Sequence, residues 1–195
     1  MDTFPFEPKF LAEKLGEGSL ALFPTDTLPA LASAPSYSEK LWRIKKRSLK
    51  KPLILMGANK EQLLDLVLPI ALEDASEFAH KYWPGSLTLV LPALGSMVNL
   101  LNPEGEKIGL RVPACEMARE LLSKSGPLAT TSANISGSKP SLSVKEASKY
   151  FPGIPLLGPL PWPISSGLAS TVVVWKNTGD WEVLREGAVM PKEIN

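Results

Sequence analysis

Short apolar segments alternate with helical segments along this chain, and this alternation restricts its fold more than any other feature. Apolar runs of strand length predict strands over Ser19–Phe23, Leu53–Met56, Ser86–Leu91, Ile108–Val112, Leu128–Thr131, Ser170–Trp175 and Trp181–Arg185. Apolar residues at helical spacing predict helices over Glu7–Gly18, Tyr37–Arg47, Lys60–Val67, Ala71–Tyr82, Met117–Lys124 and Val144–Tyr150. Such interleaving is typical of an α/β fold in which helices cover a mixed sheet.

The size of the chain fits one compact domain. Its 195 residues, 44% of them hydrophobic, are enough to bury a sizeable core. The 19 prolines are about twice the average usage and indicate many short elements and fixed turns. Pro152–Gly167 has little periodicity, so it predicts a long loop, and loops of this length are often functional. We interpret it as a candidate lid.

Charge and cysteine content narrow the function classes. The net charge of +1, from 21 basic and 20 acidic residues, gives no global attraction to nucleic acid or to anionic membranes. Cys115 is the single cysteine, which excludes an internal disulfide or a multi-cysteine metal site and fits a reducing compartment. The sequence shows no signal peptide and no apolar run near the ~18 residues of a membrane span. We expect a cytoplasmic protein without membrane contact.

Two strand ends carry polar side chains. The segment FPTDT, Phe23–Thr27, places an acid between two hydroxyls, and PLATTSANISG, Pro127–Gly137, is rich in hydroxyls and amides. Such groups can bind a phosphate, ribose or carboxylate at the edge of an α/β sheet. Turns and helix caps use the same residue types for their own hydrogen bonds. Both interpretations remain open from these residues alone.

The segment Arg43–Lys51 holds six cations in nine residues. A helix running through Arg47 would place Arg43, Lys46 and Arg47 on one side and Lys45 on another. A solvated basic surface is the usual explanation of such a run. The alternative is a triphosphate site, because arginine suits bidentate phosphate contacts and lysine supplies a point charge.

Arg111 is a lone cation in the apolar strand IGLRVP. It either alternates outward to solvent or lies in a polar site, where a buried arginine needs a partner such as a carboxylate or phosphate. Hairpin register can bring Ser170 close to Arg185. We assign no role to His80, and we find neither metal-ligand spacing nor a Walker A or dinucleotide motif. A Mg ion carried by a nucleotide needs few protein ligands and stays compatible with the sequence.

Seven segments occur in a fixed order: FPTDT, KKRSLKKPLILM, WPGSLTLVL, IGLRVP, TTSANISG, STVVV and LREGA. In this order, over about residues 19–188, they resemble the YrdC-like family of L-threonylcarbamoyladenylate synthases. The resemblance implies a single YrdC-like domain over residues 1–195. It also implies an α/β fold with a twisted open mixed sheet, flanking helices and a deep basic concave face.

The resemblance implies an ATP-dependent nucleotidyltransferase. Such enzymes convert L-threonine, bicarbonate and ATP into L-threonylcarbamoyl-AMP and pyrophosphate. The product supplies the threonylcarbamoyl group for an adenosine beside the anticodon of certain transfer RNAs, attached by transfer-RNA-modification proteins. The chemistry places two anions together and stabilises added charge, so fixed cations and hydrogen-bond donors suffice without a covalent nucleophile.

The resemblance also implies the site residues. The catalytic set is Lys45, Arg47, Ser132 and Asn134. The residues expected to bind threonine or bicarbonate are Thr25, Arg111 and Ser170. The residues expected to bind the nucleotide are Lys45, Arg47, Asn134, Ser141 and Arg185.

The chain departs from the family pattern around the threonine pocket. The family usually has an aromatic residue and glycines where this chain has Leu28–Ala32, and Pro29 lacks a backbone donor. Met56 and Cys115 stand where many members carry histidines. Two other functions therefore stay open: a nucleotide-binding relative with an altered substrate, and a module that binds transfer RNA or double-stranded RNA.

Overall fold

The computed structural model describes residues 5–194. These residues form one ten-stranded mixed sheet with the strand order β1-β8-β2-β3-β7-β4-β6-β5-β9-β10. The strands are β1 (Pro5–Phe6), β2 (Ala21–Phe23), β3 (Ala30–Ser33), β4 (Ile54–Met56), β5 (Leu87–Pro92), β6 (Lys107–Arg111), β7 (Leu128–Ser132), β8 (Leu156–Leu157), β9 (Thr171–Asn177) and β10 (Asp180–Arg185). The α/β class predicted from the sequence, with an open mixed sheet and flanking helices, is confirmed.

Helices cover both faces of this sheet. They are α1 (Pro8–Gly16), α2 (Glu39–Lys45), α3 (Glu61–Leu64), α4 (Pro69–Tyr82), α5 (Gly95–Leu101), α6 (Glu116–Ser125) and α7 (Val144–Tyr150), with a 3₁₀ turn at Pro35–Tyr37. Of the helices within residues 5–194, none combines the length and the apolar character needed to cross a bilayer.

Two apolar clusters lie on opposite faces of the sheet. The first contains the buried residues of α3 and α4, such as Leu63 and Phe78, and the second contains those of α1 and α6, such as Leu11 and Leu121. In β6, Leu110 belongs to the first cluster. Because side chains alternate along a strand, Arg111 points to the opposite face.

The end of α2 differs from the sequence prediction. A helix over Tyr37–Arg47 was expected, but α2 stops at Lys45 because Lys46 adopts a left-handed conformation with φ of 49°. Arg47 therefore does not share a helical face with Arg43, and the prediction of a common side is wrong. The left-handed residue reverses the chain, so consecutive cations separate into buried and exposed positions.

Four elements were not predicted from the sequence, of which the first is the two-residue strand β1. Strand β3 is alanine-rich and follows Pro29, and α5 begins at a glycine, so neither carries a strong propensity signal. The short strand β8 lies inside Pro152–Gly167, which was predicted as one long loop, and it pairs with β1 and β2. By contrast, the predicted helix Val144–Tyr150 matches α7 at both ends.

Candidate functional site

A cavity of about 120 Å³ opens on the face of the sheet to which Arg111 points. Strands β3, β4, β6 and β7 form its floor, and the two residues just before β9 and the end of β10 form its rim. Its polar lining residues are Thr27, Arg111, Thr130, Thr131, Ser132, Ser170 and Arg185. Its apolar lining residues are Leu28, Pro29, Ala30, Pro52, Ile54, Met56 and Ala169.

Arg111 is buried in the cavity wall, with 2% of its surface exposed. Its Nη2 donates to Asp26 Oδ1 at 2.8 Å, its Nη1 donates to Thr27 Oγ1 at 2.8 Å, and its Nε donates to the Gly85 carbonyl at 2.9 Å. Burial lowers the pKa of Arg111, while the Asp26 charge raises it. The guanidinium remains charged, because arginine is not deprotonated in proteins. The sequence left open whether Arg111 faces solvent or lies in a polar site, and the structure shows that it lies in a polar site.

Asp26 organises the loops around this guanidinium. Its Oδ1 also accepts a hydrogen bond from the Ala114 backbone N–H at 2.9 Å, and its Oδ2 accepts one from Ser86 Oγ at 2.8 Å. Its backbone carbonyl accepts from the Ser166 N–H at 3.1 Å. From the sequence, the segment FPTDT that contains Asp26 was compatible with a ligand-binding strand end and with a cap or turn, and its pairing with Arg111 was not predicted. The available signal was an acid between two hydroxyls at a strand end, together with a lone arginine in an apolar strand elsewhere in the chain.

Arg185 lies at the exposed rim of the cavity. Its Nη2 donates to the Ser170 carbonyl at 2.8 Å and to Ser170 Oγ at 3.2 Å, and its Nε donates to the same carbonyl at 3.1 Å. Ser170 Oγ lies 2.9 Å from Thr88 Oγ1. The predicted proximity of the two hairpin ends is confirmed, since Arg185 pairs with Val172 in the β9–β10 register.

Lys45 is fully buried behind the polar lining, at 1% exposure. Its Nζ donates to Thr131 Oγ1 at 3.0 Å, to Ser132 Oγ at 3.4 Å and to the Ser132 carbonyl. Burial, and then the nearby charge of Arg47, lower the pKa of Lys45 from 10.5 to about 7. Lys45 therefore supports two residues that line the cavity and does not itself line it in this structure.

Arg47 is half-buried beside the same rim. Its Nε donates to the Lys51 carbonyl at 3.1 Å and its Nη2 donates to the Pro52 carbonyl at 3.1 Å, and Pro52 lines the cavity. Burial, and then the charge of Arg185, lower the pKa of Arg47. These contacts fix the reversed chain after α2 and leave the guanidinium on the side of Arg185.

Ser132 and Asn134 form a linked pair at the end of β7. Ser132 Oγ donates to Asn134 Oδ1 at 2.6 Å, and Asn134 Nδ2 donates to the Ser138 carbonyl at 2.8 Å. Ser132 lines the cavity, whereas Asn134 does not. In this arrangement Asn134 orients the Ser132 hydroxyl, which also accepts a hydrogen bond from Lys45 Nζ.

Thr25 and Ser141 lie outside the cavity lining. Thr25 Oγ1 donates to the Leu28 carbonyl at 2.7 Å and lies 3.0 Å from Thr27 Oγ1, while Ser141 Oγ donates to the Ala133 carbonyl at 2.7 Å. Both side chains hold the loops behind the cavity. Their assignment as direct ligand contacts stays a prediction, and Thr27 takes the lining position next to Thr25.

The cations around the cavity outnumber the acids. The charge of Arg47 lowers the pKa of Lys45, and the charge of Arg185 lowers the pKa values of Arg47 and Arg111, so these side chains lie close together. Among the described residues that line the cavity or bond these four side chains, Asp26 is the only carboxylate. A cluster of like charges with so little compensation favours a ligand that carries several negative charges.

The sequence matches known proteins over most of its length. The family profile of Sua5, YciO and YrdC, described as "Telomere recombination", matches residues 13–187. A protein of Halorhodospira halophila named threonylcarbamoyl-AMP synthase is 33% identical over 153 residues, which are 76% of this chain and 80% of that protein. A mouse (Mus musculus) protein of the same name is 33% identical over 187 residues, covering 91% of this chain and 65% of its own.

Solved structures show the same fold. The structure of Pyrococcus abyssi Sua5 complexed with L-threonine matches with a TM-score of 0.84 at 31% identity. That match covers 92% of this chain, which spans only 54% of the Sua5 chain. Escherichia coli YciO matches with a TM-score of 0.82 at 22% identity over 96% of this chain and 92% of its own, which supports the fold alone.

Proposed function

The chain belongs to the Sua5/YciO/YrdC family, and from this premise we propose that it is a threonylcarbamoyl-AMP synthase. It joins L-threonine, bicarbonate and ATP into L-threonylcarbamoyl-AMP and releases pyrophosphate. The observation that carries the proposal is the group of four cations around a hydroxyl-lined cavity, with Asp26 as the one neighbouring carboxylate among the described residues. Two substrates of this reaction, ATP and bicarbonate, are anions, and threonine carries a carboxylate.

The size of the cavity indicates how the substrates are divided. Its volume of about 120 Å³ is below the roughly 300–1,000 Å³ of sites that enclose a complete small-molecule ligand. We assign the threonine part of the substrate, which is the smaller part, to this cavity. The nucleotide then extends over the open side, where Arg47 and Arg185 lie.

The reaction needs positioning and charge stabilisation. The amine of threonine and bicarbonate form a carbamate with loss of water, and a carbamate oxygen attacks the α-phosphorus of ATP. The bond from that phosphorus to the bridging oxygen breaks, and pyrophosphate leaves with the electron pair. Arg111 is fixed by three hydrogen bonds and is placed to hold an anionic group of the substrate, and Arg47 and Arg185 neutralise phosphate charge.

The buried contacts give the remaining residues their roles. Asp26 keeps Arg111 aimed at the cavity and holds the loop that contains Ser166. Lys45 and Asn134 orient Ser132, whose hydroxyl faces the substrate. Donors held by such contacts before the substrate arrives lose little energy to reorganisation during the reaction.

A Mg ion is the expected companion of ATP. Within residues 5–194 there is no group of three or more His, Cys, Asp or Glu side chains with the geometry to hold a metal. The residues present therefore fit a metal bound mainly by triphosphate oxygens and water, as Mg ions in nucleotide sites often are. We propose that it enters with the nucleotide, where it neutralises phosphate charge.

The wider role follows from the same proposal. The product carries an activated threonylcarbamoyl group, which partner proteins transfer to an adenosine of transfer RNA. We propose the cytoplasm as the location, on the basis of the single buried thiol of Cys115, and a single-domain organisation for residues 1–195.

The test is a threonine-dependent release of pyrophosphate. Purified protein incubated with ATP, bicarbonate and threonine should release pyrophosphate and form a threonine adduct of AMP by mass spectrometry. Reactions without threonine or without bicarbonate serve as controls. ATP binding by calorimetry with no threonine-dependent release would contradict the proposal.

A related enzyme with another amino-acid substrate is the second candidate. The apolar side of the cavity, formed by Leu28, Pro29 and Ala30, favours it because these residues replace the usual family pattern. The same assay with the other amino acids separates the two candidates. A higher kcat/KM for a larger aliphatic amino acid than for threonine would establish the second.

A further inference from the structure

A second crevice lies where strands β4 and β6 end. These strands are parallel neighbours in the sheet. The chain that leaves β4 continues into α3 and α4 on one face, whereas the chain that leaves β6 continues into α6 on the other. Connections that diverge in this way open a crevice outside the carboxyl ends of the strands, and α/β proteins commonly bind ligands there.

The crevice has the size and lining of a small-molecule site. Its volume is about 350 Å³, within the range of about 300–1,000 Å³ for ligand sites. Its apolar lining residues are Ala58, Trp83, Pro84 and Val112, and its polar lining residues are Asn59, Lys60, Glu61, His80 and Arg119. None of these residues lines the cavity described above.

The charges of the crevice favour an anion. Arg119 Nε donates to the Ala58 carbonyl at 3.2 Å, which ties the guanidinium to the chain leaving β4. Within residues 5–194, neither Lys60 nor Arg119 forms an ion pair within 4.0 Å, although the Glu61 carboxylate belongs to the same lining. Lys60, Arg119 and the His80 imidazole therefore share the lining with one acid, Glu61. A guanidinium fixed through Nε keeps its Nη groups for bidentate phosphate contacts.

We propose that this crevice binds a phosphate monoester of mononucleotide size. Lys60 and Arg119 contact the phosphate, and the Trp83 and Pro84 wall contacts the apolar face of the attached group. The separate linings make this site independent of the synthase cavity, so it goes beyond the proposed function. The probe that tests it is AMP, with inorganic phosphate as the comparison that lacks an attached group.

The reporter is His80, the only histidine of the chain. Titration of the full-length protein with AMP, followed by NMR, should shift the His80 imidazole and Trp83 indole signals with a dissociation constant of about 1 mM. Inorganic phosphate should shift the Arg119 side chain at higher concentration and leave the Trp83 indole unmoved. That difference separates recognition of the phosphate from recognition of the whole monoester.

Charge reversal provides the matched comparison. Arg119→Glu should abolish the AMP-dependent shifts of His80 and Trp83. Lys124 is exposed on the same helix but lies outside the crevice, so Lys124→Glu should leave the AMP-dependent shifts unchanged. Both variants should keep the threonine-dependent release of pyrophosphate, because neither residue contacts the cavity.

Two results would overturn the proposal. One is that His80 does not shift at AMP concentrations up to about 10 mM, ten times the expected constant. The other is an AMP-dependent shift of His80 that is equal in Arg119→Glu and in the wild-type protein. If pyrophosphate release fails while the Arg119-dependent shift persists, the proposed function is wrong and the crevice site stands.

Discussion

The two sides of the cavity differ sharply in chemistry although they meet across one pair of strands. In the antiparallel register of β3 and β7, Ala30 lies opposite Ser132 and Ala32 lies opposite Thr130. One side carries hydroxyls held by buried cations, and the other carries Leu28, Pro29 and Ala30, whose side chains offer only shape. We expect the cationic side to determine whether the reaction occurs and the apolar side to determine which amino acid is accepted.

The largest effect is expected at the buried ion pair. Arg111→Met leaves Asp26 unpaired at 16% side-chain exposure, so it should lower the free energy of unfolding by about 3–5 kcal/mol and abolish turnover. Adding Asp26→Asn removes the unpaired charge and should restore most of that stability without restoring turnover. Urea unfolding and pyrophosphate release measure both quantities. A double variant no more stable than Arg111→Met would show that the ion pair is not the cause.

Arg47→Ala should reduce kcat/KM for ATP by about 100-fold or more, because a fixed cation at the phosphate side is lost. Arg43→Ala is the matched control, since Arg43 is exposed on α2 and separated from the cavity by the chain reversal at Lys46. Circular dichroism checks that both variants fold. Equal values of kcat/KM for ATP in the two variants would show that Arg47 is not part of the site.

The activity should depend on pH through Lys45. With its pKa near 7, the ammonium deprotonates above neutral pH, so kcat/KM for ATP should fall there. Between pH 7 and 10.5 the unfolded chain binds a proton at Lys45 that the folded chain does not, so this group makes stability rise with pH. Lys45→Arg should weaken the fall of kcat/KM above neutral pH because arginine keeps its charge. If kcat/KM for ATP falls above neutral pH in this variant as it does in the wild-type protein, another group causes the pH dependence.

The smallest effect is expected on the apolar side. Leu28→Ala should raise KM for threonine about threefold to tenfold and leave kcat/KM for ATP nearly unchanged, because a half-buried side chain loses only part of its contact area. Leu49→Ala, 48% exposed and outside the cavity lining, is the control. A larger effect on kcat/KM for ATP than on KM for threonine would mean that the two sides do not divide the substrates as proposed.

The sequence predicted the elements whose local signals are strong. Strands β6 and β7 were predicted to within one residue at each end because each is a compact run of apolar residues bounded by turn residues. Strand β3 was missed because its four residues are all buried and show no alternation. The left-handed conformation of Lys46 was missed because lysine has no preference for it. The contacts made by the residues that follow Lys46 in the chain impose this conformation.

The sequence by itself determined the α/β class, the order of the motifs and the residue types available for anion chemistry. Tertiary structure alone decided that Arg111 is buried and that Asp26 is its partner, 85 positions away. It also placed Lys45 behind Ser132 and Thr131 and brought Ser170 to Arg185. Periodicity and propensity act between near neighbours in the chain. The pairing of distant side chains depends instead on the strand order, which is fixed when the whole sheet buries its two apolar faces.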